Sequence, residues 1–241
     1  MSKKQIKSKE RVADRGEVFT NEREVVAMCD LVDQECDRID SRFLEPACGD
    51  GNFLAEILRR KLARVKKLYG KNMFDYERYS LLALMSLYGV DIMSDNVNEC
   101  RARLFEIWNK EYQDACKKSC NDETIDSAKY ILEKNILCGN ALTLVEVDDK
   151  QNDTSKPIIF PEWSMISGGK FKRRDFRLDV LLKEHDDEKS YQQFSLGFND
   201  DEADSYRYWE RDPVTNVIIP LPIKEYNAVH YKKLKEVEDR G

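Results

Sequence analysis

The stretch Phe43-Leu44-Glu45-Pro46-Ala47-Cys48-Gly49-Asp50-Gly51-Asn52-Phe53-Leu54 constrains this chain more than any other. A short apolar run ends on an acid, a loop of small residues follows, and an amphipathic helix leaves it. Gly49 and Gly51 remove Cβ atoms where the chain must turn tightly and where a ligand would approach the backbone. Leu54, Ile57, Leu58, Leu62 and Val65 then recur at helical spacing, a stripe that can pack on a sheet. Strand, glycine loop and helix N-terminus together predict a nucleotide-type cradle at the carboxyl end of a strand. A plain turn is the competing reading of the two glycines alone. Glu45 adds weight to the cradle, because an acid at a strand end that faces a crevice needs a cationic or hydrogen-bonding partner.

The dinucleotide fingerprint is excluded by spacing, since its third glycine would fall where Leu54 stands. The stretch resembles instead the S-adenosylmethionine (SAM) loop of the N6-adenine DNA methyltransferases of restriction–modification systems. Their loop reads roughly E/D-P-A-C-G-x-G-x-F-L, and Glu45, Pro46, Ala47, Cys48, Gly49, Gly51, Phe53 and Leu54 all match it. Three further segments extend the resemblance. Gly16-Glu17-Val18-Phe19-Thr20-Asn21 is similar to the family's G-x-x-[FY]-T-P segment, with Asn21 in place of proline. The resemblance implies that Thr20 bonds the SAM carboxylate and that Phe19 packs near the cofactor. Gly89-Val90-Asp91-Ile92 is similar to the family's ribose site, which implies that Asp91 receives the ribose hydroxyls and Ile92 lies against adenine. Gly139-Asn140-Ala141-Leu142 stands where the family has G-D-A-L. That implies Asn140 as acceptor for the adenine amine, with Ala141 beside it; a Gly-Asn turn is the alternative. Asp91 lies about forty residues beyond the glycine loop, against ~20 in a compact unit, and an inserted helix explains the gap.

Read in order, residues 1–14 form a basic arm. Asn21 caps a helix expected to run to about Cys36, with Glu24 at its third position. Helices are expected over 71–86 and from Ser94 onward, with 113–128 a loop or a solvated helical extension. Strands are expected at Phe43–Glu45 and Tyr88–Ile92, and Ile136–Leu142 is expected as a third strand with a turn. The alternation of strand and helix from 41 to 142 predicts α/β architecture, a SAM-methyltransferase-like (Rossmann-like) doubly wound parallel sheet. The C-terminal part is expected to be irregular. The expected division is an arm over 1–14, a cofactor domain over 15–165 and an extension over 166–241.

Charge narrows the partners. The net charge is -6, yet residues 1–15, 58–78 and 170–177 are rich in Lys and Arg, and 184–204 is strongly acidic. Basic patches on a mildly acidic protein can touch phosphate, so double-stranded DNA is the expected partner, with a restriction or specificity subunit beside it. For the 58–78 run a solvated helix face competes. Lys172, Arg173 and Arg174 are the sharper candidates for phosphate contact. Two histidines and seven cysteines without a C-x-x-C pair argue against zinc, and reduced core thiols are the expected state. No apolar run approaches a membrane span, which predicts a cytoplasmic protein without a membrane partner.

The catalytic half departs from the family. Methylation of an adenine amine needs a flipped base held by acceptors and stacked on an aromatic ring. The family does this with [DN]-P-P-[YFW], which this chain lacks. The nearest stretches are Asp212-Pro213-Val214-Thr215 and Phe160-Pro161-Glu162-Trp163. The expected function is therefore a SAM-dependent DNA adenine-N6 methyltransferase or modification subunit, its catalytic loop lost or supplied by a partner. The alternative is a non-catalytic SAM-binding or DNA-binding partner protein.

Overall fold

The computed structural model describes residue 11, residues 20–182 and residues 208–240. Phe19, nearly all of the basic arm and the acidic run lie outside the described residues.

Asn21 caps the first helix as expected, its side chain accepting from the Arg23 amide. That helix, α1 (Glu22–Leu31), stops earlier than the sequence predicts. Val32 leaves helical geometry, and a short α2 (Asp33–Asp37) follows. Strand β1 (Phe43–Glu45) then leads through the glycine loop into α3 (Asn52–Tyr69). All five residues of the predicted α3 stripe are buried. Helix α4 (Met73–Met85) precedes β2 (Leu87–Asp91), and α5 (Ser94–Cys116) follows it. The next segment departs from expectation: Asn121 caps a further helix, α6 (Asp122–Asn135), which feeds β3 (Ile136–Asn140).

β1, β2 and β3 are parallel neighbours in that order, the arrangement the βα alternation requires. Beyond β3 the sheet turns antiparallel through β4 (Val145–Val147) and β5 (Asp153–Pro157). The protein is thus mixed α/β with a mixed sheet. Among the described residues β1 is an edge strand, so the strand order does not reverse there as a doubly wound sheet would.

The stretch that holds Phe160-Pro161-Glu162-Trp163 lies in a separate sheet. β6 (Ile159–Ile166) turns through Ser167–Gly169 and pairs along its whole length with β7 (Lys170–Arg177). Gly168 and Gly169 both have φ of 71°, the left-handed geometry that glycine takes without strain. The boundary expected between 165 and 166 falls inside this hairpin. β10 (Lys224–Glu225) and β11 (Val229–His230) flank the other side of β7. A one-turn helix α7 (Leu178–Leu181) closes this region, and β8 (Trp209–Arg211) pairs with β9 (Ile218–Pro220). The chain ends on 3-10 turns over Tyr231–Arg240.

Two apolar clusters hold the sheet. The larger joins α1 to α6 with Leu87, Trp163, Phe171 and Tyr231. The smaller meets the face that carries Tyr88 and Val90, where Ile158, Phe160 and Leu178 cover it. One pair of cysteines is brought together at the rim of the core. Cys116 and Cys120 lie side by side where the chain folds back at the end of α5, their Cα atoms 5.1 Å apart. Cys29, Cys36, Cys48, Cys100 and Cys138 are free. No described helix is long and apolar enough to cross a membrane.

Candidate functional site

The site is built at the carboxyl ends of β1, β2 and β3. Register places Glu45 opposite Gly89 and Asp91 opposite Cys138, with Asn140 two residues farther along β3. Glu45, the glycine loop, Asp91-Ile92 and Asn140-Ala141 are thus gathered on one edge, as the sequence predicts.

The loop is held by its backbone. The Cys48 amide donates to the Val90 carbonyl at 2.9 Å, and the Gly51 amide donates back to Cys48 at 2.8 Å. Gly49 and Gly51 have φ of 52° and 83°, so both glycines are required by conformation. Space also requires Gly51, because a Cβ there would lie 2.6 Å from the sulfur of Cys100. Gly51 is the N-cap of α3 and brings no side chain to its first amides. That leaves the positive end of a long helix facing the loop. The Cys48 thiol, hydrogen-bonded to Cys100 and buried, is pushed far above the ordinary thiol range and acts as an inert packing group.

Glu45 is half-buried, and burial raises its carboxyl above the usual range. Among the described residues its carboxylate has no hydrogen-bond or ion-pair partner. A half-buried acid in that condition at a strand end beside a glycine loop is a candidate ligand group. Pro46 and Ala47 are exposed beside it.

Asp91 is engaged with the protein. Its Oδ2 accepts from the Gly49 amide at 2.9 Å, and its Oδ1 accepts from the Met93 amide at 2.8 Å and from Asn96 Nδ2 at 3.2 Å. It therefore locks the glycine loop to the end of β2. A ribose would share this carboxylate with the loop. Ile92 sits half-buried next to it, its carbonyl accepting from the Cys138 thiol at 3.6 Å. Asn140 takes the turn arrangement. Its Oδ1 accepts from the Leu142 amide at 3.0 Å, and its Nδ2 donates to Asp153 at 2.9 Å. Ala141 follows in that turn, half-buried.

Thr20 is brought to the site through its backbone, where its carbonyl accepts from Asn52 Nδ2 at 3.4 Å at the start of α3. Three residues absent from the expected set complete the frame. Arg103 on α5 bonds both Asp50 and Asn52. Asn96 buttresses Asp91, and Arg11 bonds Asp95 at 2.6 Å and Asn96 at 3.3 Å. Asn96, Cys100 and Arg103 fall at i, i+4 and i+7, one face of α5 turned to the loop. Polar residues on an otherwise apolar helical stripe were the signal for two of them.

Of the expected DNA patch, Arg173 is taken into the core. Arg173 is buried and bonds Asp175 at 2.7 and 2.8 Å and the Tyr130 hydroxyl at 2.6 Å. Arg174 bonds Glu162, and Lys172 bonds Glu225 at 2.6 Å. Only the Arg173 charge is closed off from solvent; Lys172 and Arg174 form surface pairs. Part of the 58–78 run is paired, with Arg60 reaching Asp30, Asp33 and Glu56, Arg64 reaching Asp37 and Lys66 reaching Glu111, while Lys67 and Lys71 are exposed. The two substitutes for the catalytic motif are also occupied. Asp212 caps the β8–β9 turn by accepting from the Val214 and Thr215 amides. Trp163 donates its indole N–H to Asn135 at 3.0 Å from inside the core. No cluster of three metal-ligating side chains occurs among the described residues.

No family model, characterised protein or solved structure matches this chain.

Proposed function

We propose that the chain binds SAM at the carboxyl edge of β1–β3 and serves as a DNA adenine-N6 methyltransferase or modification subunit, with the base-holding loop brought by another polypeptide. One observation carries the reading. Glu45, half-buried and without a partner among the described residues, stands at the end of β1 beside two left-handed glycines and an uncapped helix N-terminus. An ammonium group suits that acid, and a carboxylate suits that helix terminus. SAM carries both on its methionine end, and when bound it supplies an electrophilic methyl on a sulfonium.

The chain's own residues then divide the work. Glu45 holds the amino group, while Thr20 and the first amides of α3 receive the carboxylate. Gly49 and Gly51 let the ligand lie close on the backbone. Asp91 receives the ribose while keeping its bond to the Gly49 amide, and Ile92 offers an apolar surface to adenine. Asn140, with its side chain committed to a turn, gives the adenine amine at most a shared acceptor. Phosphate contacts to DNA fall outside Arg173, whose charge is buried against Asp175.

A second reading has its own support. Asp212 and Trp163 are both committed to structural bonds, so neither presents a methylation motif. A SAM-binding partner protein without chemistry of its own fits that fact. Methyl transfer from tritiated SAM to mixed-sequence DNA separates the two. Label in DNA only when the product of the adjacent gene is added supports the subunit reading. SAM binding with no label in either condition supports the second. No SAM binding overturns both.

A further inference from the structure

Cys116 and Cys120 stand apart from the other cysteines. Cys29, Cys36, Cys48 and Cys100 are buried. Burial pushes the Cys29 thiol up to about 11 and raises those of Cys36 and Cys138, which keeps them protonated and slow to attack a disulfide. Cys116 ends α5 and is buried, but Cys120 lies on the turn into α6 and is half-buried. Their Cα atoms are 5.1 Å apart, inside the span of about 4.4–6.8 Å that a disulfide bridges. Both sulfurs meet one carbonyl. That of Lys117 lies 4.0 Å from the Cys116 sulfur and 3.4 Å from the Cys120 sulfur.

The turn between the two is strained. Lys117 has φ of 54°, left-handed geometry that glycine takes freely and a lysine does not. Strained backbone persists where something else fixes the chain, and a bond between the sulfurs on either side of Lys117 is such a fixture. The turn also leads into a buried network. The Asn121 amide, one residue past Cys120, donates to the Tyr112 hydroxyl at 2.9 Å, and that hydroxyl donates to Glu77 at 2.6 Å. The Asn121 side chain caps α6 by accepting from the Glu123 and Thr124 amides at 2.8 and 3.3 Å. Fixing Cys120 to Cys116 therefore fixes the joint between α5 and α6.

We propose that Cys116 and Cys120 form a dithiol site that exchanges with low-molecular-weight disulfides such as glutathione disulfide, and that closing it clamps the α5–α6 joint. Cys120, the more exposed of the two, gives its proton to solvent and attacks one sulfur of the small disulfide. A mixed disulfide forms and one small thiolate leaves. Cys116 then gives its proton to solvent and attacks the Cys120 sulfur. The Cys116–Cys120 bond forms, the second small thiolate leaves, and both leaving groups take up protons. The two protein thiols are oxidised, and the small disulfide is reduced to two thiols. The exchange needs neither SAM nor DNA.

The test equilibrates the full chain in glutathione buffers of rising oxidised fraction, quenches it in acid, unfolds it, blocks free thiols with N-ethylmaleimide and maps the labels by mass. Oxidation should remove the labels from Cys116 and Cys120 alone, leave Cys29, Cys36, Cys48, Cys100 and Cys138 labelled, and reverse in excess reduced glutathione. It should raise the melting temperature by about 3 °C or more and slow amide exchange at Asn121 by about threefold or more. Cys120→Ser should erase both responses, with a melting temperature within about 2 °C of the reduced native chain. Glutathione retained on Cys120 without a second bond, oxidation that joins another pair such as Cys29 and Cys36, or no bond at any ratio overturns the proposal. So does a bond that excess reduced glutathione does not open, or one that moves neither the melting temperature nor the Asn121 exchange.

Discussion

The Gly49 amide donates to Oδ2 of Asp91 across 2.9 Å, tying the glycine loop to the end of the neighbouring strand. A residue expected only to bind a ligand also shapes the place where the ligand lies. Asp91→Ala should lower SAM affinity by about tenfold or more and also loosen the loop, seen as faster exchange of the Gly49 amide. Asp91→Asn keeps an acceptor for one of the two amides and should fall between Ala and the native protein. Native-like SAM affinity in Asp91→Ala would refute the ribose assignment.

Glu45 is a cost to the fold. Its folded carboxyl lies above the unfolded value, so its contribution to stability is present at low pH and is lost as pH rises through the folded value. Glu45→Gln should therefore raise the melting temperature at pH 7, and the gain should shrink toward pH 4. The same variant should lose SAM affinity by about tenfold or more, the trade expected of a strained site. Thermal scans at two pH values and one titration check both halves.

Lys61 is fully buried on α3, donating to the carbonyls of Arg38, Ile39 and Ser41 at 2.8, 3.1 and 2.6 Å. It stitches the chain entering β1 onto the helix that leaves the loop. Burial lowers its pKa from 10.5 to about 8. Between those values the unfolded chain holds a proton that the folded one has released, so stability should rise with pH by on the order of 3 kcal/mol. Lys61→Met should abolish that rise. At pH 7 it should destabilise by roughly 2–4 kcal/mol, because three buried carbonyls lose their donor. Urea midpoints at pH 7 and pH 10.5 give both numbers.

Glu77 is buried and accepts from the hydroxyls of Tyr112 at 2.6 Å, Tyr231 at 2.5 Å and Thr124 at 3.3 Å. It joins α4, α5, α6 and the C-terminal turns at one carboxylate. Burial and this bond hold the Tyr231 phenol well above its usual range. Tyr231→Phe removes one donor from a buried acid and should cost about 1–3 kcal/mol, with no change in SAM affinity. Denaturant midpoints measure the cost.

The sequence was most readable where local pattern and packing agree. Leu54, Ile57, Leu58, Leu62 and Val65 announce α3 because each is apolar and each is buried. Helix α6 escaped because its buried face uses Thr124, Ser127, Ala128 and Asn135 beside Ile131 and Leu132, small and polar groups that weaken the hydrophobic period. The partner of β6 was not legible because its strand character is local while its partner is not: nothing in Ile158–Trp163 names β7. The basic runs misled for the same reason. Arg60 finds Asp30 and Asp33, and Arg173 finds Tyr130, across distances in sequence that composition cannot see. At the site, Glu45, the two glycines and Asp91 were placed by motif, whereas the bonds that occupy Asp91 and Asn140 depend on turns that only the fold reveals.

Calorimetric titration of the full chain with SAM tests the central claim most directly. The account predicts saturable single-site binding with Kd on the order of micromolar, abolished or weakened about tenfold by Glu45→Gln. Absence of binding, or binding that Glu45→Gln leaves unchanged, would contradict it.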